Sequence, residues 1–313
     1  MRRARKHNPN AAGAVTGLLA VCALTGCAPA PAPPGQFALV IGSHGYVSAK
    51  FHRPRGIAFD APENSLFVVD WSGRIQKFSP DGAFRASWRM PKVEKGKPED
   101  LCISGRRTLL VADTHYSRII EFSLNGRLLK TFGSYGREPG RFIYPVGICC
   151  DPEGNIYVSE YGENDRIQKF TPDHSFVKSW GRFGSEPGQF QRPSGIAISG
   201  ARELYVADAV NHRLQVFDLD GNLRRLLGGE GTGPGQFRYP YDVALRGHTV
   251  YVLEYGNQRV QKLHADGSPI AVFGSGGRGP GRFACPWRCA VTADALYVSD
   301  TDNSRVVKLP ASF

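Results

Sequence analysis

Three charged side chains occupy equivalent places in a repeated unit, each two residues after a proline. They are Asp100, Asp242 and Arg288, and the other three units have glycine at this place. Two carboxylates that converge could bind a cation or act as an acid–base pair. We favour a simpler interpretation, in which each carboxylate pairs with a nearby arginine, Arg55 or Arg288, because structural ion pairs are common in such places.

Aromatic residues gather next to the same prolines. Tyr, Trp and Arg are enriched among residues that dominate binding energy, and flat rings also suit the faces of sugars. Features found in only one or two units are better candidates for function than features found in all of them. The sequence therefore predicts one set of ligand-binding residues: Arg55, Asp100, Tyr144, Tyr239, Tyr241, Asp242, Trp287 and Arg288.

The unit that carries these residues is clearest between Pro193 and Phe237. Short runs rich in Val, Ile, Leu, Tyr and Phe are bounded by Gly, Pro and Asp, which is typical of β-strands. Asp220-Gly221 supplies the positive φ that a tight hairpin turn needs. The unit predicts four antiparallel strands at Gly195–Ser199, Glu203–Asp208, Arg213–Asp218 and Asn222–Leu227.

The unit occurs six times, as three recurring residues show. Its opening proline recurs at Pro54, Pro98, Pro145, Pro193, Pro240 and Pro286. An acid ends every second strand, at Asp70, Asp113, Glu160, Asp208, Glu254 and Asp300. An arginine opens every third strand, at Arg74, Arg118, Arg166, Arg213, Arg259 and Arg305. Four strands per repeat of about 40–50 residues predict an all-β, six-bladed β-propeller, in which the six acid–arginine pairs are structural.

The ring is expected to close through the N-terminal part of the chain. The sixth unit ends at Leu309-Pro310 after three strands, and Phe37–Ile41 matches the missing outer strand. In propellers the loops before the first strand and after the second strand open onto one face, around the channel. Blades two and five are opposite each other, so we expect Asp100 and Asp242 to face each other across the channel mouth.

The chain resembles the NHL-repeat family of six-bladed propellers over roughly residues 36–309. The resemblance depends on the P-x-G-I-A, L-Y-V-x-D and N-x-R-I/L-Q-x-F strands and on the G-x-x-G-x-x-P-G-x-F connections. The main departure is Pro91–Lys97 in unit two. Related propellers include the peptidylglycine amidating lyase and gluconolactonase-like metalloenzymes, which implies a metal-dependent hydrolase or lyase at the channel mouth as an alternative function.

That resemblance also provides evidence against a zinc lyase. The lyase places metal-binding histidines directly after the blade proline. Here those positions hold Arg55, Glu99, Val146, Ser194, Tyr241 and Trp287. His44, His52, His115 and His212 fall in loops of the same face, but in unmatched registers. We therefore predict no metal and no cofactor.

The first residues are typical of an exported lipoprotein. A basic start and the short apolar run Ala11–Leu24 indicate a secretory signal peptide, and Leu24–Cys27 resembles the bacterial lipobox. We predict a signal peptide at 1–26, lipidation of Cys27, a stiff Pro/Ala-rich tether at 27–35 and the propeller at 36–313. Ala28 after the cysteine favours the outer membrane, if the organism has one.

The remaining cysteines are predicted to be reduced. Cys102 and Cys149 occupy the same register on neighbouring blades, Cys150 follows directly, and Cys285 and Cys289 are in the last blade. Export would permit a disulfide, but bridging requires Cα atoms within about 7 Å. We expect small thiols that fill alanine-like positions.

These observations favour an envelope-tethered, non-catalytic scaffold that binds a protein or glycan through an aromatic, arginine-rich face. The formal net charge is +11, and four positive charges belong to the predicted signal peptide. Because the chain is expected to be exported and no basic groove with interleaved aromatics stands out, nucleic acid is disfavoured as a partner.

Overall fold

Four-stranded antiparallel sheets surround a central channel in the computed structural model, which describes residues 39–313. They are the blades of a six-bladed β-propeller, and the predicted fold is confirmed. The predicted signal peptide, Cys27, the tether and the start of the predicted strand at residues 37–38 lie outside the described residues.

The first half of the chain forms blades 1 to 3. β1 (Leu39–Ile41) comes before blade 1, which contains β2 (Pro54–Asp60), β3 (Ser65–Asp70), β4 (Arg74–Phe78) and β5 (Phe84–Arg89). Blade 2 contains β6 (Pro98–Ile103), β7 (Thr108–Asp113), β8 (Arg118–Ser123) and β9 (Leu128–Phe132). Blade 3 contains β10 (Tyr144–Cys150), β11 (Ile156–Tyr161), β12 (Arg166–Phe170) and β13 (Phe176–Trp180).

The second half forms blades 4 to 6. Blade 4 contains β14 (Pro193–Ile198), β15 (Glu203–Asp208), β16 (Arg213–Asp218) and β17 (Leu223–Gly228). Blade 5 contains β18 (Pro240–Arg246), β19 (Thr249–Glu254), β20 (Arg259–His264) and β21 (Pro269–Phe273). The short pair β22 (Ser275–Gly276) and β23 (Arg282–Phe283) precedes blade 6, which contains β24 (Pro286–Val291), β25 (Ala295–Asp300) and β26 (Arg305–Pro310).

Helical structure within residues 39–313 is limited to two single turns of 3₁₀ helix, at Thr114–Tyr116 and Thr301–Asn303. Both follow the second strand of a blade, where the chain turns back towards the third. Among residues 39–313, no helix is long and apolar enough to cross a membrane.

Burial is high in the inner strands of each blade and lowest in the outer strand. In blade 1 every residue of β3 is buried. In β5 most residues are exposed, and the exposed residues largely alternate with partly buried ones. The second strand has a neighbouring strand on each side and a neighbouring blade on each face, so its side chains are apolar in a nearly continuous run. The outer strand covers only one blade face, and its sequence alternates.

Apolar clusters between neighbouring blades hold the ring together. Leu253 of blade 5 packs with Leu296 of blade 6 in one such cluster. The cluster between blades 6 and 1 joins Tyr297 and Val306 to Ile57 and includes Ile41 of the N-terminal strand. A single blade cannot bury both of its faces, so these contacts are what stabilise each blade.

The last blade is closed by the N-terminal strand, as predicted. β1 pairs antiparallel with β26, and Val40 lies opposite Val307. Blade 6 therefore has the strand order β1-β26-β25-β24. Joining the two ends of the chain in one sheet gives β26 a partner that the sixth unit alone does not supply.

The repeated acid–arginine pairs are structural, as predicted. In all six blades the arginine lies 2.5–2.9 Å from the acid. Arg213 also donates to the carbonyls of Glu186 and Gln189, at 2.9 and 3.1 Å, and so fixes the glycine-rich connection to the blade. In blade 2, where Pro91–Lys97 replaces that connection, Arg118 instead donates to the carbonyl of Pro91 at 2.6 Å.

One glycine of each glycine-rich connection lies against a buried phenylalanine, which excludes the connection into blade 2. Gly133 has φ of +82°, and a Cβ there would lie 2.4 Å from the ring of Phe142. Phe142 is fully buried. The glycine is required both by its backbone conformation and by the closeness of the ring, which explains why the two residues recur together in the motif.

Candidate functional site

The site residues lie on the innermost strands, at the end where each strand enters its blade. In every innermost strand the ladder with the second strand is irregular directly after the proline, for example between Pro240 and Asp242 and between Pro98 and Asp100. A β-bulge changes the direction of the side chains that follow it. As a result, residues at successive places around the proline lie at different depths.

Two tyrosines directly before a blade proline lie on an outer rim. Tyr144 and Tyr239 are both more than a third exposed, at 37% and 38%. Tyr144 packs against Tyr161, with ring centroids 5.3 Å apart. Tyr239 instead contacts His212, whose Nδ1 accepts the Tyr239 backbone N–H at 3.0 Å. The two predicted tyrosines therefore lie at separate points of the rim.

The residues directly after the proline form a tighter contact network. Arg55 forms an ion pair with Glu99, and Trp287 donates its indole N–H to Glu99 Oε2 at 2.5 Å. The Arg55 guanidinium lies 3.8 Å from the centre of the Trp287 ring. The edge-to-face contact of Tyr241 with Trp287 has a centroid distance of 4.9 Å. Blades 1, 2, 5 and 6 thus meet at one carboxylate and one indole.

Aromatic and basic residues extend this network around the channel. Tyr255 stacks on Tyr241 at 4.6 Å, and the Arg192 guanidinium lies 5.4 Å from Tyr241 and 4.9 Å from Tyr161. On the other side, Lys97 lies 4.3 Å from the centre of the Trp71 ring. We call these residues together the mouth ring: Arg55, Trp71, Lys97, Glu99, Tyr161, Arg192, Tyr241, Tyr255 and Trp287.

The mouth ring has excess positive charge. Glu99 neutralises Arg55, whereas neither Lys97 nor Arg192 has a carboxylate within ion-pair distance among residues 39–313. Burial raises the pKa of Tyr161 and of Tyr241, so both phenols stay neutral and can donate hydrogen bonds. An anionic group or a flat polar ring would find cations and aromatic faces there.

Beneath the mouth ring is a buried group that we call the axial cluster: Asp100, Asp242 and Arg288. Arg288 is 1% exposed, and its guanidinium reaches across the channel. It donates to the carbonyl of Val146 on the opposite blade at 2.8 Å and to the carbonyl of Tyr241 at 2.8 Å. Its Nε lies 3.3 Å from Asp100 Oδ2. One side chain of blade 6 thus contacts blades 2, 3, 4 and 5 and obstructs the channel below the mouth ring.

Both carboxylates of the axial cluster are held by backbone amides. Asp100 accepts from the N–H groups of Leu101 and Ile148 at 2.8 and 3.3 Å. Asp242 accepts from the N–H of Cys289 at 2.7 Å. Burial raises the pKa of Asp100 to about 7 and that of Asp242 to about 6, against the opposing effect of Arg288. One guanidinium serves two carboxylates, so the cluster can hold a proton near neutral pH.

Glycine in the other three blades allows the neighbouring innermost strands to approach closely. A Cβ on Gly195 would lie 1.8 Å from Asp242 Oδ1, and a Cβ on Gly147 would lie 2.2 Å from the carbonyl oxygen of Ser194. The innermost strands therefore approach too closely for any side chain at these two places. Glycine at one blade and a charge at the next are two parts of the same packing arrangement.

A cavity of about 310 Å³ lies on the other side of Arg288 from the mouth ring. It is lined by the later halves of the six innermost strands and opens to solvent. It is lined by aliphatic residues, the two carboxylates and the cysteines Cys102, Cys149, Cys150 and Cys289. The channel is thus divided into a polar, aromatic mouth and a lower cavity rich in thiols.

The structure divides the predicted binding residues between three places. Arg55, Tyr241 and Trp287 come together in the mouth ring, while Tyr144 and Tyr239 lie apart on the rim. Asp100, Asp242 and Arg288 come together below. The expected pairing of a carboxylate with a neighbouring arginine is found for Asp100 and Arg288, but Arg55 pairs with Glu99 instead.

Several residues of the mouth ring were not among the predicted binding residues, and Glu99 is the most important of them. It accepts from both Arg55 and Trp287. Its signal in the sequence is that, of the six residues directly after the blade prolines, it alone is acidic. Trp71, Arg192, Tyr161 and Tyr255 lie in loops of the predicted face, but spacing alone does not show that they join one contact network.

The histidines are scattered, as their registers predict. His115 contacts Tyr144 edge to face at 5.9 Å, and burial lowers its pKa, so it is neutral at physiological pH. In the part of the chain from Leu39 to Phe313, no group of three or more His, Cys, Asp or Glu side chains is arranged to hold a metal ion.

Comparison with known families identifies the repeat. The family model for the NHL repeat matches residues 142–170 and 190–217, which lie in blades 3 and 4. Together with the six blades described above, this match shows that the chain is a six-bladed β-propeller that contains NHL repeats. A comparison with curated proteins finds no match.

Several solved structures have a similar fold. A streptogramin B lyase is 15% identical with a TM-score of 0.63, over 88% of this chain and 97% of that one. A gluconolactonase from Xanthomonas campestris is 12% identical with a TM-score of 0.63, over 91% and 99%. An auxiliary nutrient binding protein from Bacteroides thetaiotaomicron is 12% identical with a TM-score of 0.64, over 83% and 69%. At these identities the similarity concerns the fold alone.

Proposed function

We propose that this protein is a non-catalytic scaffold that binds an envelope protein or glycan through its mouth ring. The observation that carries the proposal is the continuous contact network of aromatic rings and cations from Tyr161 through Arg192, Tyr241 and Trp287 to Arg55. Rings and guanidinium groups held in fixed positions lose little conformational freedom on binding, so they suit a recognition surface.

The depth of the carboxylates supports binding rather than catalysis at the mouth. Arg288 lies between the mouth ring and the lower cavity, and Asp100 and Asp242 are 6% and 5% exposed. A ligand that rests on Trp287 would be separated from these acids by the Arg288 guanidinium. Glu99 is nearer, but it already accepts from Arg55 and Trp287.

The tether is the second part of the proposal. Lipidation of Cys27 would hold the propeller at a membrane of the cell envelope, which is the outer membrane in a diderm organism. The Pro/Ala-rich residues 27–35 would keep the propeller away from the lipid surface, because proline-rich chains are extended and stiff. A partner in the envelope would then meet the mouth ring at high local concentration.

Binding measurements with matched variants test this proposal. The lipid-free chain is immobilised and exposed to purified envelope glycans and to envelope protein fractions. Trp287→Ala combined with Tyr241→Ala is expected to weaken binding at least about tenfold. Tyr135→Ala combined with Phe183→Ala, which alters aromatics 72% and 66% exposed in the connections between blades, is expected to leave binding unchanged.

A second variant removes the concern that Tyr241→Ala disturbs packing. Arg192→Gln keeps the aliphatic part of the side chain and removes the charge, and it should weaken the binding of acidic ligands. Thermal unfolding of each variant is measured in parallel. If every interaction survives both sets of changes in folded protein, the mouth ring is not the binding site.

A second candidate function is a metal-dependent hydrolase or lyase with its site at the channel mouth. The observation that favours it is the axial cluster, because carboxyl groups with pKa values of about 7 and 6 can exchange protons at neutral pH. Elemental analysis tests it. One divalent metal per chain that is lost on Asp100→Ala or Asp242→Ala would favour the enzyme over the scaffold.

A further inference from the structure

Two cysteines from neighbouring blades contact each other on the wall of the lower cavity. Cys102 is on β6 of blade 2 and Cys150 is on β10 of blade 3, and their Sγ atoms are 3.9 Å apart. The described cysteines are all free thiols, and both of these are partly exposed. A disulfide bond brings its two sulfur atoms to about 2 Å, so a bond between these contacting thiols requires side-chain rotation that shortens their separation.

Strand geometry selects this pair over its neighbour. Cys102 and Cys149 are each four residues after a blade proline, so they face equivalent directions in successive blades. Cys102 and Cys150 pack on the cluster between blades 2 and 3. Cys149 packs on the cluster between blades 3 and 4. Side chains alternate along β10, so Cys150 points towards Cys102 and Cys149 points away from it.

We propose that Cys102 and Cys150 are a disulfide-forming site that links blades 2 and 3 covalently when the protein meets an oxidising thiol–disulfide environment. The site is reached from the lower cavity, and both residues line that cavity. The link would join residues 48 positions apart in the chain. It would connect blade 3 to blade 2, in which Pro91–Lys97 replaces the glycine-rich connection.

The reaction proceeds by two exchanges with a small disulfide such as oxidised glutathione. One protein thiolate attacks a sulfur of glutathione disulfide, forms a mixed disulfide and releases one glutathione thiolate. The second protein thiolate attacks the protein sulfur and releases the other. The two protein thiols are oxidised, their two protons end on the two glutathione molecules, and the glutathione disulfide is reduced.

The environment of Cys102 predicts the pH dependence of the rate. The hydrogen bond with Cys150 and burial raise the pKa of the Cys102 thiol well above its ordinary value. The titratable groups that influence it are Cys150 in direct contact, and Cys149 and Asp100 through their charge. Since the thiolate is the attacking species, bond formation is expected to accelerate about tenfold per pH unit from pH 7 to 8.5.

The test uses the full chain, first fully reduced and then incubated with oxidised glutathione. Free thiols are alkylated, and the digested protein is analysed by mass spectrometry. The expected product is the peptide pair linked through Cys102 and Cys150, two hydrogens lighter than its reduced parts. Cys149→Ala should form the same product, and Cys102→Ala and Cys150→Ala should not.

Thermal unfolding provides a second measurement that does not depend on peptide recovery. Oxidation should raise the Tm of wild type and of Cys149→Ala by about 5–10 °C, and should leave Cys102→Ala unchanged. The proposal is overturned if Cys102 and Cys150 remain alkylated after exhaustive oxidation, if they stop at mixed disulfides with glutathione, or if Cys149 takes the place of Cys150 in the linked product.

Discussion

At the scale of single residues, the position two residues after each blade proline determines what the channel contains. At Gly147 and Gly195 the innermost strands approach so closely that no side chain would fit. At the equivalent places in the other blades, the charged side chains Asp100, Asp242 and Arg288 are buried. The sequence shows this alternation of glycine and charge directly. It does not show that the bulge places these charges beneath the mouth, because depth depends on backbone direction over a few residues.

Removal of one carboxylate from the axial cluster should change how stability depends on pH. A buried acid with a raised pKa holds its proton in the folded state between about pH 4 and 7 while the unfolded chain has lost it, so stability falls as pH rises through this window. Asp242→Asn removes one such group, and it also removes the charge repulsion that adds to the effect of burial on the pKa of Asp100. We expect the fall in the free energy of unfolding between pH 4.5 and 8 to shrink by about 2 kcal/mol.

Urea denaturation at a series of pH values measures this effect. The exposed Asp294 provides the matched control, since Asp294→Asn leaves the axial cluster unchanged. Parallel pH profiles for wild type and Asp242→Asn would show that the two carboxylates do not share a proton in the folded protein.

At the scale of elements, each blade is fixed to the preceding connection by its acid–arginine pair. These pairs could be predicted as structural because they occur in all six units, whereas function rarely needs six copies of one side chain. The same comparison between units predicts a binding face but not which residues contact each other within it. Contacts such as Glu99 with Trp287 join residues 188 positions apart, and no local pattern encodes such a distance.

Arg213 is a direct test of this role. Its removal leaves the fully buried Asp208 carboxylate without its cation and frees the carbonyls of Glu186 and Gln189. Arg213→Ala is therefore expected to lower the free energy of unfolding by about 3 kcal/mol. Urea denaturation followed by circular dichroism provides the measurement.

The control is Arg224, which pairs with Asp218 on the surface and is more than half exposed. Arg224→Ala should lower stability by less than about 0.5 kcal/mol, because solvent screens such pairs. Equal losses in the two variants would mean that the acid–arginine pairs do not fix the blades.

At the scale of the whole molecule, the ring holds a chain of near-identical units in one closed arrangement. The number of blades and the closing strand follow from counting units, and both were predictable. The contact of Cys102 with Cys150 could not be predicted from the sequence. Equivalent positions in two blades show which residues share a direction, but not which thiols of neighbouring blades touch. The N-terminal strand is short, so its contribution depends mainly on Ile41, which is buried between blades 6 and 1.

Substitutions at two neighbouring positions of that strand test whether its pairing with β26 stabilises the ring. Ile41 is 3% exposed and Val40 is 51% exposed. Ile41→Ala is expected to lower the free energy of unfolding by about 2–4 kcal/mol through lost burial and an unfilled cavity. Val40→Ala, one residue away on the opposite side of the strand, should change it by less than about 0.5 kcal/mol.

Denaturant unfolding of both variants, followed by tryptophan fluorescence, measures the difference. A loss for Ile41→Ala no greater than that for Val40→Ala would show that the N-terminal strand does not stabilise the ring. The six-unit repeat would then need another way to complete its last blade.

The central claim is that a partner covers the mouth ring, and hydroxyl-radical footprinting of the chain with and without envelope material from its source tests it most directly. We predict that oxidation of Trp71, Tyr161 and Trp287 falls in the presence of the partner while oxidation of Tyr135 and Phe183 stays constant. Protection of Tyr135 and Phe183 with Trp71 and Trp287 still fully reactive would contradict the account.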